Sequence, residues 1–255
     1  MNKCWAKSLN NCSSKITGEH IVSNSILDKY VTVKGFSWCK NESKTIGSSS
    51  LVGNILCNKH NEALSAYDNE AKKYLDTIVE FDKIHSKFIK FGFRKKDIPI
   101  IYNINGFFLE RWFCKTIINL AFIENEEIKI HYDQILPILF HNEFFQKPFG
   151  LNFAVKAGQE VNTGKFLEIA PLYNELENGI KELAGGIFIF KGIHTIILLP
   201  HSKPPILNNQ LLLNLSPNLI PFWTNLQLNW HNSKILNSIF RDQKEHLIQK
   251  IKINW

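Results

Sequence analysis

"ILCNKHN", residues 55–61, sets a cysteine, a histidine and two asparagines into seven positions directly after an apolar run. The spacing of Cys57 and His60 lets both side chains reach one ion, as half of a tetrahedral zinc site does. Over residues 61–82 the pattern turns helical. Leu64, Ala71, Leu75 and Ile78 recur on one stripe, Tyr67 and Tyr74 widen it, and Lys72, Lys73 and Glu80 sit off it. The Cys-His pair therefore stands at the entrance to a helix.

The other half of such a site is sought upstream, in Cys4 and Cys12. Seven residues separate them, against two to four in a tight knuckle, so "WAKSLNN" has to bulge out and return. Cys39 is the spare candidate. Cys114 lies inside an apolar segment and reads as a small buried hydrophobe. The N-terminus carries no apolar stretch of signal-peptide length, and the longest apolar run, "HTIILLP" at 194–200, is too short to span a bilayer. A cytoplasmic, non-membrane protein is expected, in which paired Cys/His spacing favours metal over disulfide.

A second dense stretch, "TGEHIVSNSI" at 17–26, places Glu19 beside His20. Hydrolysis of a phosphodiester needs a base to activate water and a divalent ion to stabilise charge on the phosphate. A neutral histidine suits the first task, and a carboxylate with an amide suits the second, because Mg²⁺ prefers oxygen ligands. Glu19, His20 and Asn61 are those three types, and a zinc site would pin their segments together.

The order Cys4, Cys12, Glu19-His20, Cys57-x-x-His60-Asn61 resembles the HNH endonucleases, in the zinc-stapled branch of the ββα-metal fold that includes resolvases of the endonuclease VII type. The resemblance covers residues 1–82. It implies that Cys4, Cys12, Cys57 and His60 bind a structural Zn²⁺, that His20 is the general base, and that Glu19 and Asn61 hold a catalytic Mg²⁺ or Mn²⁺. In this sequence His60 stands where the family usually has a cysteine, and 40 residues separate His20 from Asn61, which makes 28–55 an insertion. His60 as the helix histidine of the catalytic metal is the alternative assignment. Asn24 and Asn54 are candidates for orienting His20. Asp68, seven residues into the helix, lies on nearly the same face as Asn61 and reads first as an exposed or packing residue.

Residues 83–255 form the expected second unit, an α+β domain that selects substrate, dimerises or senses a signal. A helix is expected over 106–122, with Leu109, Trp112, Phe113, Ile117 and Leu120 on one face and Arg111 and Lys115 solvated. "GIFIF" (186–190) and "HTIILL" (194–199) read as a hairpin, "KFLEIA" (165–170) as a half-buried strand, and 233–253 as an amphipathic helix. "HIV" at 20–22 is the best strand candidate ahead of the first helix.

The formal net charge is +7. Residues 1–82 hold 10 Lys against 9 acids, whereas 83–255 hold 20 basic residues against 14 acidic ones, so most of the excess lies in the second part. A basic balance suits a polyanionic partner. The expectation is thus a DNA endonuclease, DNA ahead of RNA, with phage defence or restriction as its setting and a homo-oligomer or activating partner in view. Two other readings stand beside it. One is a non-catalytic zinc module for nucleic acid or protein, and the other a zinc hydrolase using His20 and His60.

Overall fold

The computed structural model describes residues 4–34, 36–39, 41–91, 101–124, 127–146, 149–154, 167–177, 179–190, 193–201, 229–230 and 250–255. The N-terminal region is β-rich and leads into helices. Strands β1 (Ile16–His20) and β4 (Val52–Cys57) pair antiparallel, from Ile16 opposite Cys57 to His20 opposite Val52, with an irregularity between Thr17 and Glu19. Between them, β2 (Tyr30–Val33) and β3 (Lys44–Gly47) make a separate antiparallel hairpin. Helix α1 (Asn58–Phe91) begins at the residue after β4. The first strand thus lies earlier than "HIV" suggested: His20 ends it, and Ile21 and Val22 are buried beyond it.

Helix α1 starts three residues before the expected position because its first turn is tied down from upstream. The Asn58 amide donates to the Lys15 carbonyl (2.9 Å) and the Lys59 amide to the Ser13 hydroxyl (3.2 Å), satisfying donors that a helix start leaves open. The predicted stripe of Leu64, Tyr67, Ala71, Tyr74, Leu75 and Ile78 is buried throughout.

The chain continues as a mixed α+β region. Strand β5 (Ile101–Asn105) leads directly into α2 (Gly106–Ile123), whose N-cap Asn105 accepts the Phe108 amide at 3.1 Å. Then come β6 (Ile128–Lys129), α3 (Tyr132–Phe140), β7 (Gly150–Ala154), β8 (Leu167–Glu175), β9 (Lys181–Phe190), β10 (Ile193–Leu198), β11 (Asn229–Trp230) and β12 (Lys250–Asn254). Strand β9 takes β8 along its whole length, β10 at residues 185–190 and β6 at 181–182, while β10 continues through β7 to β11. The predicted hairpin of β9 and β10 is present, and β8 covers the strand read at 165–170 from residue 167 on. Within β9 a Cβ on Gly186 would fall on the Ile117 side chain of α2, so the missing side chain lets sheet and helix close up.

Two expectations need correction. Most of the C-terminal helix expected over 233–253 lies outside the described residues, but Lys250–Asn254 is a strand, parallel to β5. Its "KIKIN" alternates with period two, and Ile253 is buried. Helix α2 is also not amphipathic in the expected sense. It is buried on all sides, and Arg111 and Lys115, expected to face solvent, are inside. A helix packed on every side needs partners for its polar residues, and those partners form part of the site below. One hydrophobic core runs from Cys4 and Trp5 through α1 and α2 to Ile253. No helix among the described residues is long and apolar enough to cross a membrane.

Candidate metal centre and the Glu19–Asn61 region

Cys4, Cys12, Cys57 and His60 converge, with their four ligand atoms all within 4.8 Å of one another. His60 Nδ1 lies 3.4 Å from Cys4 Sγ, 3.8 Å from Cys12 Sγ and 3.3 Å from Cys57 Sγ. Zinc bonds of ordinary length at tetrahedral angles put such S–N edges at roughly 3.6 Å, so the cluster fits one zinc ion. His60 Nε2 faces Asn11 Oδ1 at 2.7 Å, which fixes the ring with Nδ1 toward the sulfurs. Cys39 is elsewhere, its thiol donating to the Val33 carbonyl in the β2–β3 hairpin (3.9 Å), and Cys114 is buried in α2.

The long first knuckle works because it is folded in itself. Lys7–Leu9 make a tight 3₁₀ turn, and Asn10 follows at φ 56, the left-handed region that asparagine tolerates better than most residues. The turn brings Cys12 back to Cys4. On the other side, Cys57 is the last residue of β4 and His60 is in the first turn of α1, so the strand-to-helix junction supplies the second pair.

The cluster's groups are shifted in different directions, Cys57 and His60 toward the ligating form and Cys4 and Cys12 away from it. For Cys57, burial works to raise the pKa, but donors led by the His60 backbone N–H and Ser13 outweigh it and bring the thiol down to about 7. Burial first, then its thiol neighbours, push Cys12 up to about 12, and burial raises Cys4. His60 is held below the usual imidazole value by burial and then by Lys59, which favours its neutral, ligating form.

The candidate catalytic residues lie on the neighbouring ladder. His20 is half-buried at its last pair, opposite Val52. Asn61, one residue past His60, donates through Nδ2 to Thr17 Oγ1 (3.1 Å) and the Gly18 carbonyl (3.4 Å), which brings the first turn of α1 against β1. Glu19 is buried and turned to α2. Its Oε1 accepts from Lys115 Nζ (2.8 Å) and Asn119 Nδ2 (3.2 Å). Glu19 and Asn61 thus engage different partners.

Lys115, Asn119 and Ser23 were not expected here. Lys115 Nζ also lies 2.8 Å from both carboxylate oxygens of Asp68. Asp68 accepts from Ser23 Oγ, which in turn accepts from Trp112 Nε1 at 2.8 Å. Asn119 accepts from Trp5 Nε1 (3.0 Å) and donates to the His20 carbonyl (3.4 Å). Asp68, read as exposed or packing, is therefore tied to Glu19 through one ammonium. The signal for this was in the sequence: Arg111, Lys115 and Asn119 recur every four residues inside a largely apolar helix, a pattern that suits a solvated stripe equally well. Asn24 is exposed and Asn54 is exposed within β4.

No family model, curated protein or solved structure matches this chain. The arrangement itself is a Cys3His cluster at the base of an N-terminal β-β-β-β-α unit, consistent with a zinc-binding module like that of ββα-metal proteins.

Proposed function

We propose that the chain is a metal-dependent endonuclease of the HNH type, hydrolysing phosphodiester bonds in DNA. The observation that carries this reading is the bonding of Asn61 to Thr17 and Gly18. It holds the helix asparagine beside the Glu19-His20 strand, with the Cys3His cluster anchoring α1 one residue before Asn61 and, through Cys12, the chain four residues ahead of β1. In this reading residues 1–82 carry the chemistry and residues 83–255 choose the substrate or gate access to it, in the cytoplasm, as defence against phage or other foreign DNA.

His20 takes the proton of the attacking water as general base. Asn61, whose Nδ2 is committed to β1, would offer its carbonyl oxygen to a divalent ion, and Glu19 would add a carboxylate by exchanging Lys115 for the ion. Mg²⁺ or Mn²⁺ would supply stabilisation of the charge that develops on the phosphate and leaving oxygen. Cys4, Cys12, Cys57 and His60 would hold a zinc ion whose role is structural, tying the N-terminal knuckle to the start of α1.

Supercoiled plasmid with the zinc-loaded protein and Mg²⁺ or Mn²⁺ tests this. Nicking or linearisation is expected for the wild type and is lost in His20→Ala and Asn61→Ala, both retaining one zinc per chain. Cleavage that persists in His20→Ala rejects the assigned base.

A second reading, a non-catalytic zinc module that binds nucleic acid or protein, is favoured by one contact. Lys115 presents a buried ammonium to Glu19, the carboxylate a divalent ion would use, and to Asp68. Zinc-loaded protein that binds DNA and cleaves none of plasmid, single strand or RNA establishes that reading instead.

A further inference from the structure

Among the described residues the exposed large apolar side chains are Tyr30, Trp38, Val52 and Phe144. Two of these lie in the segment between β1 and β4, and a third, Val52, is the register partner of His20. Tyr30 is 63% exposed and Trp38 45%. Neither ring hangs loose. Phe36 stacks on Trp38 at 5.5 Å between centroids and 20° between planes. Lys44 donates to the Trp38 carbonyl (3.0 Å), and its ammonium sits 5.8 Å from the Trp38 ring centre; Lys29 sits 5.5 Å from that of Tyr30. Val31, Val33, Phe36 and Ile46 pack against the core, which holds the hairpin in place from behind.

Each exposed ring thus has an ammonium over it, on a flexible side chain that can swing to a phosphate as a base takes its place. That pairing matches a nucleotide, which brings a flat base and a phosphate. Charge supports the same partner. Residues 28–47 carry Lys29, Lys34, Lys40 and Lys44 against Asp28 and Glu42, whereas the rest of residues 1–82 has six Lys against seven acids. The hairpin is the basic part of an otherwise faintly acidic unit.

Its placement is also tied to the ladder that carries His20. The Ser48 amide donates to the Lys29 carbonyl (3.0 Å) and the Ile21 amide to the Leu51 carbonyl (2.9 Å), bracing the hairpin base against the end of β1. Gly47, paired with Tyr30, is five residues from Val52, a reach of at most about 17 Å. Bases in a duplex have both faces covered by their neighbours. Unpaired bases alone can lie on these rings.

We propose that the β2–β3 hairpin is a stacking platform for unpaired DNA bases, with Tyr30 and Trp38 as the rings and Lys29 and Lys44 as phosphate contacts. This rests on the endonuclease reading for its role, delivering a single-stranded or distorted segment to His20, but its binding test needs no cleavage.

Fluorescence anisotropy of a labelled oligothymidylate with the full zinc-loaded chain, in buffer without added divalent ion, reads the platform directly. Trp38→Ala and Tyr30→Ala each weaken binding by roughly 5- to 100-fold, the range for losing one base–ring stack. Trp38→Phe restores most of the loss, and Lys44→Gln lowers the salt slope by about 0.7, as one lost phosphate contact does. Unchanged melting temperatures show that the exposed substitutions leave the fold intact. The proposal is overturned by equal binding of wild type and both alanine variants, by duplex DNA competing as well as the single strand, or by RNA of matched sequence binding more tightly. Plasmid cleavage is scored separately, so loss of the nuclease reading leaves the binding result standing, and the reverse holds too.

Discussion

Lys115 Nζ lies 2.8 Å from Glu19 Oε1, joining α2 to β1 across 96 positions of sequence, with side-chain exposures of 1% and 5%. A buried ammonium is tolerable only because Glu19 and Asp68 both face it, and each carboxylate depends on it in turn. Removing one member of such a set leaves uncompensated buried charge, at a cost of about 3–5 kcal/mol. Lys115→Met is therefore expected to lower the melting temperature by on the order of 10 °C. Adding Glu19→Gln to Lys115→Met recovers part of that loss, since it removes a charge left without its partner. Calorimetry on the three proteins decides it: a single variant that melts like the wild type means the triad contributes nothing.

Zinc removal is the second expectation. The cluster ties the N-terminal segment to the start of α1, and metal binding free energy there is folding free energy. Titrating the thiols with a mercurial reagent should release one zinc per chain. Stripped protein should melt at a lower temperature and be cut by protease within residues 4–57 first. Cys57→Ser, which removes the most acidic of the three thiols, is expected to purify with well under one zinc per chain. Full zinc content in that variant would show that the metal does not depend on Cys57.

Asn11 gives a finer test of the same centre. Its Oδ1 accepts from His60 Nε2 at 2.7 Å, an arrangement that holds the imidazole with Nδ1 on the cluster. Substituting the residue that orients a metal-bound histidine typically weakens metal affinity 10–100-fold. Asn11→Ala should retain one zinc at saturation yet lose it at about that much lower chelator strength, measured by competition with a chromophoric chelator. An unchanged affinity would indicate that Nδ1 is not the ligating nitrogen, which reopens the assignment of His60 to the other metal.

The zinc half of the site was legible because ligand spacing is local. Cys57 and His60 advertise one another across two residues, and the apolar stripe from Leu64 to Ile78 marks the helix they open. Helix α1 and the β9–β10 hairpin were legible for the same reason, through periods of 3.6 and two. The Glu19 environment was not, because its partners arrive from α2 about 100 residues later, and a lysine in a helix gives no sign of whether it faces water or a carboxylate. Strand β12 was missed because "KIKI" continues a helical stripe as readily as it starts an alternation, and its partner β5 is some 150 residues upstream.

Trp5 links the two halves and carries the last prediction. It follows Cys4 directly, and its indole N–H donates 3.0 Å to Asn119 Oδ1, while Asn119 Nδ2 reaches Glu19 and the His20 carbonyl. The Cys4–Cys12 segment therefore helps orient the amide that holds the Glu19-His20 strand. Trp5→Phe keeps a ring against Tyr132 and Phe140 but withdraws the donor from a buried oxygen, at a cost of about 1–3 kcal/mol. A fall of about 3–10 °C in melting temperature is expected, with zinc content unchanged. Because the smaller ring also loses packing, the Trp5→Phe and Asn119→Ala pair should be run as a cycle. A coupling energy of about 1 kcal/mol or more assigns the effect to the hydrogen bond; strict additivity assigns it to ring volume alone and removes the link between knuckle and strand.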